Sequence, residues 1–321
     1  MTSPNLSEIV TTTARRRSAK LADNVSDQTA LLQRIKEKGN QRPFNGGRTI
    51  VEELMYAENV TYTRYAGYET LNITPSDSLT AAEFDIKQAA VAITISGLEE
   101  LQNAGDAEII NLLEARIKVA EITMMNNLSA DIYSNGTASG GKQIGGLQAL
   151  VSDAGTGTVG GINSSTYTWW QNQKFDFSDN SLTPGAATIQ TAMNRLYLAC
   201  SRGRDVPDLI VADDTYFRYY WESLQAIQRI ASDSSAQAGF QKLKFMGADV
   251  VFDGGQGGDA PASHMYFLNT NYIHFRPHSA RNMSVIGGDR FSTNQDAMVR
   301  LIGWAGNMTI SNRALQGVIV A

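Results

Sequence analysis

The stretch from Asp106 to Tyr133, DAEIINLLEARIKVAEITMMNNLSADIY, constrains this chain more than any other. Ile109, Leu113, Ile117, Ala120, Met124, Leu128 and Ile132 recur at steps of three or four, which puts them on one face of an α-helix. Asp106 follows Gly105 and can accept hydrogen bonds from the free N–H groups of a first turn. Asn135-Gly136 then supplies residues that tolerate the left-handed conformation common just past a helix end. At ~1.5 Å per residue such a helix is roughly 40 Å long, well beyond the ~11–12 residues of an average one. A second set, Ile110, Leu112, Val119, Ile122 and Met125, widens the apolar stripe, so more than one face should be covered. This is the pattern of a structural beam.

A beam needs a large body around it, and 321 residues with 42% hydrophobic and 18% charged side chains can supply one. That composition is neither disordered nor membrane-like. No run approaches the ~18 apolar residues of a membrane helix, and no apolar stretch sits near Met1 as a signal peptide would. The triplets Asn59-Val-Thr61 and Asn72-Ile-Thr74 therefore carry no glycosylation meaning. A net charge of −5 gives no general attraction to nucleic acid. Cys200 is the single cysteine, so no internal disulfide forms and a reducing, intracellular place of folding fits best.

Residues 1 to about 45 read as an arm. They carry Arg15, Arg16 and Arg17 and a short helical segment, roughly Asp27 to Lys38, whose only large apolar residues are Leu31, Leu32 and Ile35. That is too little apolar surface to fold alone, so the segment should lie on another surface. The arginines can reach DNA phosphates or acidic residues of a neighbour; a solvated charge run is the plain alternative.

From Gly46-Gly47 to Ser96 the period changes. VTYTRYAGYETLNITP and FDIKQAAVAITIS are rich in β-branched and aromatic residues, with alternation at Leu71/Ile73, Phe84/Ile86 and Val91/Ile93/Ile95. Pro75 to Thr80 between them has turn chemistry. The expectation is a long two-stranded ribbon with Leu71, Ile73, Phe84 and Ile86 near its tip. An isolated hairpin of that size is marginal in water, so those four residues should dock onto another copy of the chain.

After a Gly-rich passage, Gly136 to Gly161, and the cluster Tyr167, Trp169 and Trp170, an α/β unit begins. Thr183 and Pro184 fit N-cap and N1 of a helix through Ser201, closed by Gly203. Its apolar set includes Cys200, which reads as core rather than nucleophile. Residues 208–212 read as a buried strand, and Asp213-Asp214 would cap the next helix. Strand-like runs follow at 250–252, 265–268, 272–275, 298–304 and 318–320.

No motif carries chemistry. Gly155-x-Gly157-x-x-Gly160 matches the dinucleotide fingerprint by letter, but INSSTYTWW follows it where a helix must start. Gly136-x-x-x-x-Gly141-Lys142 approaches a phosphate loop, yet Gln143 stands where the Mg²⁺-binding hydroxyl belongs. His274 and His278 have a metal-compatible interval only on a helix, which Pro277 opposes; His264 stands apart. Glu52-Glu53 and Glu99-Glu100 read as solvated ends of elements. Neither a catalytic group, a cofactor nor a metal is expected.

The order of parts, with residues 58–105 (ENVTYTRYAGYETLNITPSDSLTAAEFDIKQAAVAITISGLEELQNAG) and 266–278 (YFLNTNYIHFRPH), resembles the major capsid protein of tailed bacteriophages, the HK97-type shell fold. The likeness is weakest over about 137–182. It implies an α+β HK97-like capsid fold with four parts. These are an N-terminal arm (1–45), an extended β-hairpin loop or E-loop (46–98), a P-domain (99–180 and 270–321) and an α/β A-domain (181–269). The P-domain would hold a spine helix at about 106–133.

The resemblance also implies copies of the chain in pentamers and hexamers, forming an icosahedral shell around packaged double-stranded DNA. Partners would be a portal protein and a scaffolding protein: ~45 residues ahead of Gly46-Gly47 are too few for a fused scaffold, which implies a separate one or its prior removal. A decoration protein is left open. The expected place is the virion capsid, assembled in the host bacterial cytoplasm. Some members crosslink a ribbon lysine to a neighbour's asparagine; Lys87 lies on the ribbon, and no crosslink is expected. The rival readings are an encapsulin-like compartment enclosing a cargo enzyme, and an oligomeric enzyme using the histidine-bearing C-terminal half.

Overall fold

The computed structural model describes residues 29–96, 106–225, 243–253, 259–291 and 296–321. Arg15, Arg16, Arg17 and the pair Glu99-Glu100 lie outside the described residues. The helices of eight or more residues among the described residues are α1 (Ala30–Glu37), α2 (Asp106–Ile132), α3 (Ile189–Ala199) and α4 (Asp214–Gln225). The first seven strands are β1 (Thr49–Met55), β2 (Leu79–Asp85), β3 (Lys87–Ser96), β4 (Thr158–Val159), β5 (Ile162–Asn163), β6 (Gln173–Asp176) and β7 (Leu209–Ala212). The other seven are β8 (Leu243–Phe245), β9 (Ala248–Phe252), β10 (Met265–Leu268), β11 (Ile273–Pro277), β12 (Ser284–Phe291), β13 (Ala297–Ile310) and β14 (Gly317–Val320).

Helix α2 forms where the apolar repeat predicts it. Ile117, Ala120, Met124, Leu128 and Ile132 are all buried, and Gly136 past its end has φ +73°. The wider stripe is covered only in part within the subunit: Met125 packs against the core, whereas Val119 is 65% exposed and Ile122 43%. Ile117 is fully buried, so Ile117→Asp should strand a charge in the core and cost several kcal/mol. The expected result is loss of soluble, folded protein, read by yield and circular dichroism. Wild-type behaviour would remove Ile117 from the core.

Six strands form one sheet in the order β6-β14-β10-β7-β9-β8. Strands β7, β10 and β14 are buried at every residue, because both of their faces are packed. Alternation divides them between two cores. Ile210, Phe267 and Ile319 face α3 and α4, whereas Val211, Tyr266 and Val318 join the core that contains α2. Asp213 caps α4 through Tyr216 N–H at 3.0 Å, as the sequence suggests.

Helix α3 starts at Ile189, several residues after the expected Thr183-Pro184. The intervening residues turn around Gly185, whose carbonyl accepts from Thr188 and Ile189 N–H at 3.1 and 3.0 Å. Thr188 is the N-cap residue, and its hydroxyl donates back to the Thr183 carbonyl at 2.7 Å.

The second sheet runs β11-β13-β12, with β3 on the other edge of β13. This corrects the ribbon assignment for residues 87–96. Lys87 to Ser96 pair antiparallel with Gly306 to Ala297, not with residues near 60–74. Long-range pairing with β13 takes the strand that local β-propensity assigns to a hairpin.

The segment 29–45 is also part of the subunit, which shortens the expected arm. Leu31, Leu32 and Ile35 of α1 are buried. Arg34 and Lys38 reach Asp208 at 3.1 and 3.6 Å, and Gln41 and Phe44 bridge to Phe275 and His278. The surface that α1 needs is supplied by its own chain.

Candidate assembly surface

Strands β1 and β2 make the ribbon that leaves this body. Ile50 stands opposite Phe84 and Leu54 opposite Thr80. Period-2 alternation turns Ile50, Glu52, Leu54, Ala82 and Phe84 inward, all buried, and Val51, Met55 and Leu79 outward, all exposed. The Gly155–Gly160 segment lies against the root. It forms the β4–β5 hairpin, with Gly160 and Gly161 at φ +60° and +77° in the turn. Gly160 accepts from Glu83 N–H at 3.0 Å, and a Cβ there would stand 2.7 Å from the Ala82 Cβ. Gly160 serves a close backbone approach, and no helix N-terminus follows.

Between β1 and β2, residues 57–78 contain no strand. The turn expected at Pro75–Thr80 is therefore not a turn: Leu79 and Thr80 are already strand, and the tip is the whole preceding stretch. The two legs are tied at their base by Tyr56, whose N–H donates to Ser78 O at 3.1 Å and whose hydroxyl donates to Asp77 O at 2.9 Å. Farther out, Val60 N–H reaches the Ser76 hydroxyl across the legs at 3.5 Å, and other bonds are local. Asn59 Oδ1 accepts from Thr61 N–H at 2.9 Å, and Asn72 Oδ1 from Thr74 N–H at 3.0 Å.

This tip is apolar and uncovered. Val60, Tyr62, Tyr65, Tyr68, Leu71 and Ile73 are exposed, Ile73 to 90%. With Val51, Met55 and Leu79 they make nine of the sixteen exposed large hydrophobic side chains among the described residues, on one projecting element. Large contiguous apolar exposure of this kind marks an interaction surface.

The four residues assigned to the tip from sequence separate into two pairs. Leu71 and Ile73 are on it. Phe84 is only 7% exposed and belongs to the subunit's own core, with Ile86 packed against that core. Placing Phe84 and Ile86 at a docking tip is thus corrected, because Phe84 pairs with Ile50 at the ribbon root. The tyrosines at 62, 65 and 68 are spaced by three, which strict alternation does not pick out.

Residues that could carry chemistry are held in structural roles. Cys200 is fully buried, and burial pushes its thiol up to about 12. His264 Nε2 lies 3.2 Å from Asp153 Oδ2 and its Nδ1 lies 2.7 Å from Ala262 O. Burial opposes the charge on His264, but Asp153 and that carbonyl outweigh it and raise the pKa. His278 packs edge-on against Phe44, and His274 is buried beside Ser311. Gln143 donates to Asp131 at 2.7 Å, and Lys87 Nζ to Gly141 O at 2.7 Å. Among the described residues no group of three or more His, Cys, Asp or Glu could hold a metal ion, and no helix is long and apolar enough to cross a membrane.

No protein-family model matches the chain, and no curated protein does. Solved structures do. The capsid asymmetric unit of cyanophage A-1(L) superposes with a TM-score of 0.64 at 15% identity, covering 89% of this chain and 91% of that one. The capsid of a native GTA particle gives a TM-score of 0.54 at 12% identity, with 89% of each chain covered. The holo-SrpI encapsulin complex of Synechococcus elongatus gives 0.51 at 8% identity, covering 88% of this chain and 84% of that one. At these identities the likeness is one of fold.

Proposed function

We propose that this chain, which has the fold of tailed-bacteriophage major capsid proteins, is such a capsid protein, assembling into an icosahedral shell around packaged double-stranded DNA. The observation that carries the reading is the strandless, apolar ribbon tip at 57–78, which the subunit does not cover. A neighbouring copy in a pentamer or hexamer is the partner that would bury it. In this reading residues 46–85 form the E-loop and continue into the P-domain at β3. Helix α2 is the spine helix, and residues 181–269 form the A-domain. The subunit is structural and has no catalysis of its own.

Residues Arg15, Arg16 and Arg17 are the proposed contact to genome phosphates or to acidic residues of a neighbour; only the first makes DNA retention salt-dependent. A portal protein and a separate scaffolding protein are the further partners of this reading.

The second reading, an encapsulin-like compartment, is supported by the likeness to the Synechococcus elongatus encapsulin. Electron microscopy of the protein from its native source, with nuclease-protected nucleic acid and lumenal protein assayed together, tests both. Closed shells retaining protected DNA are expected. Shells filled with a second protein would favour the compartment, and absence of shells would sink both.

A further inference from the structure

Both strands of the ribbon are fastened to one face of the second sheet by polar side chains. His274 stands opposite Thr309, and Arg276 opposite Asn307, in the β11–β13 register. Opposed residues, and residues two apart, share a face, so all four point the same way. Asn307 Nδ2 donates to the Asp85 carbonyl of β2 at 2.8 Å. Glu52 of β1 accepts from the Thr309 hydroxyl at 2.8 Å and pairs with Arg276 Nη1 at 3.3 Å.

This anchor is dry and incompletely satisfied. Glu52 is 8% exposed and His274 4%. His274 Nε2 has Ser311 Oγ at 3.4 Å, whereas its Nδ1 and the Arg276 Nε are buried without a partner. The charged groups facing the imidazole are Glu52 from the ribbon, Arg276 from its own strand and Arg42 from the segment ahead of the ribbon. From β13 and its following turn come Thr309 and Ser311, which do not titrate here. Glu52 is already paired with Arg276 and Arg42 stands near, so a proton on His274 would add a third cation.

We infer that Glu52, His274 and Arg276 form an acid-sensitive latch at the ribbon root, in which a proton on His274 puts a further cation into the buried cluster and is accommodated when β1 lifts from the sheet and water reaches the imidazole. The inference concerns the subunit alone and does not rest on the shell reading. The sign follows from the surroundings. Burial first, then Arg42 and Arg276, oppose the imidazolium and outweigh Glu52, so His274 titrates below its ordinary value in the latched state. A released histidine titrates near ~6.5, so the latch is fully set above that pH and weakens as pH falls through it, by at most about tenfold per pH unit.

Hydrogen–deuterium exchange on the purified full chain at pH 7.5, 6.5 and 5.5, corrected for intrinsic exchange, tests this. Amides at 50–54 and 80–84 should lose protection with acid, approaching about tenfold per unit below pH 6.5, while β7 and β10 keep theirs. His274→Gln, which takes up no proton in this range, should hold its ribbon protection level. An equal acid response in His274→Gln and wild type would overturn the latch. Should that variant fail to fold, the wild-type profile decides. Ribbon amides that stay protected, or open only in step with β7 and β10, would also overturn it.

Discussion

Arg313→Met should lower the melting temperature by about 10 °C, one of the two largest effects expected of a single change here. Arg313 is fully buried, and its guanidinium donates to four acceptors. Nε reaches the Leu150 carbonyl at 2.7 Å, and Nη2 the Ser152 hydroxyl at 2.9 Å. Nη1 reaches Ser164 Oγ at 3.0 Å and the Trp170 carbonyl at 3.3 Å. The side chain thus clamps residues 150–170, which have little regular structure, to the turn between β13 and β14. Burial lowers its pKa to about 10, which still leaves it charged at neutral pH.

Replacing a buried ion by an apolar residue can be neutral when its partners leave with it. Here they stay. Two backbone carbonyls and two hydroxyls would remain buried, at roughly 1–3 kcal/mol for each group that finds no substitute. A total of about 3–5 kcal/mol corresponds to the stated shift at ~2–4 °C per kcal/mol. Arg313→Lys should recover part of it, since one ammonium cannot span all four acceptors. Scanning calorimetry of the three proteins decides, and an unchanged midpoint for Arg313→Met would refute the clamp.

That clamp was not legible in the sequence, where Arg313 is one cation in SNRALQG. What could be read was whatever a local period determines. The three-and-four spacing from Ile109 to Ile132 specifies a helix by itself, and the structure has α2 over Asp106–Ile132. The apolar runs at 209–212, 265–268 and 318–320 are strands because no residue in them suits a solvent face.

Partner choice is not local, and the errors lie there. Residues 87–96 have the alternation of a ribbon strand, yet ten residues of β13, two hundred positions away, take the pairing. Phe84 and Ile73 look alike in an alternating string; only the Ile50–Phe84 register makes one core and leaves the other outside. The buried Glu52 looks like a solvated end in the sequence for the same reason, because Thr309 and Arg276 come to it from the C-terminal strands.

The same separation supplies the most direct test of assembly. Phe84→Asp and Ile73→Asp place one charge on the same ribbon and should fail in different ways. Phe84 is 7% exposed inside the subunit, with its ring tip 3.1 Å from where a Gly160 Cβ would stand. A carboxylate there has no partner, and the cost of several kcal/mol should appear as lost circular dichroism and aggregation of the monomer. Ile73 is 90% exposed and loses nothing within the subunit when it becomes aspartate. Its effect should arise only where a second copy covers it. Burying an isoleucine contributes roughly 1.5–3 kcal/mol, and a closed shell repeats that contact in every subunit. Ile73→Asp should therefore keep the wild-type spectrum and melting temperature of the monomer while sedimentation shows shells absent or greatly reduced, and Leu71→Asp should act in the same direction. Wild-type-sized particles from Ile73→Asp would take the tip out of the interface, whereas a misfolded Ile73→Asp monomer would mean that residues 57–78 fold back onto their own subunit.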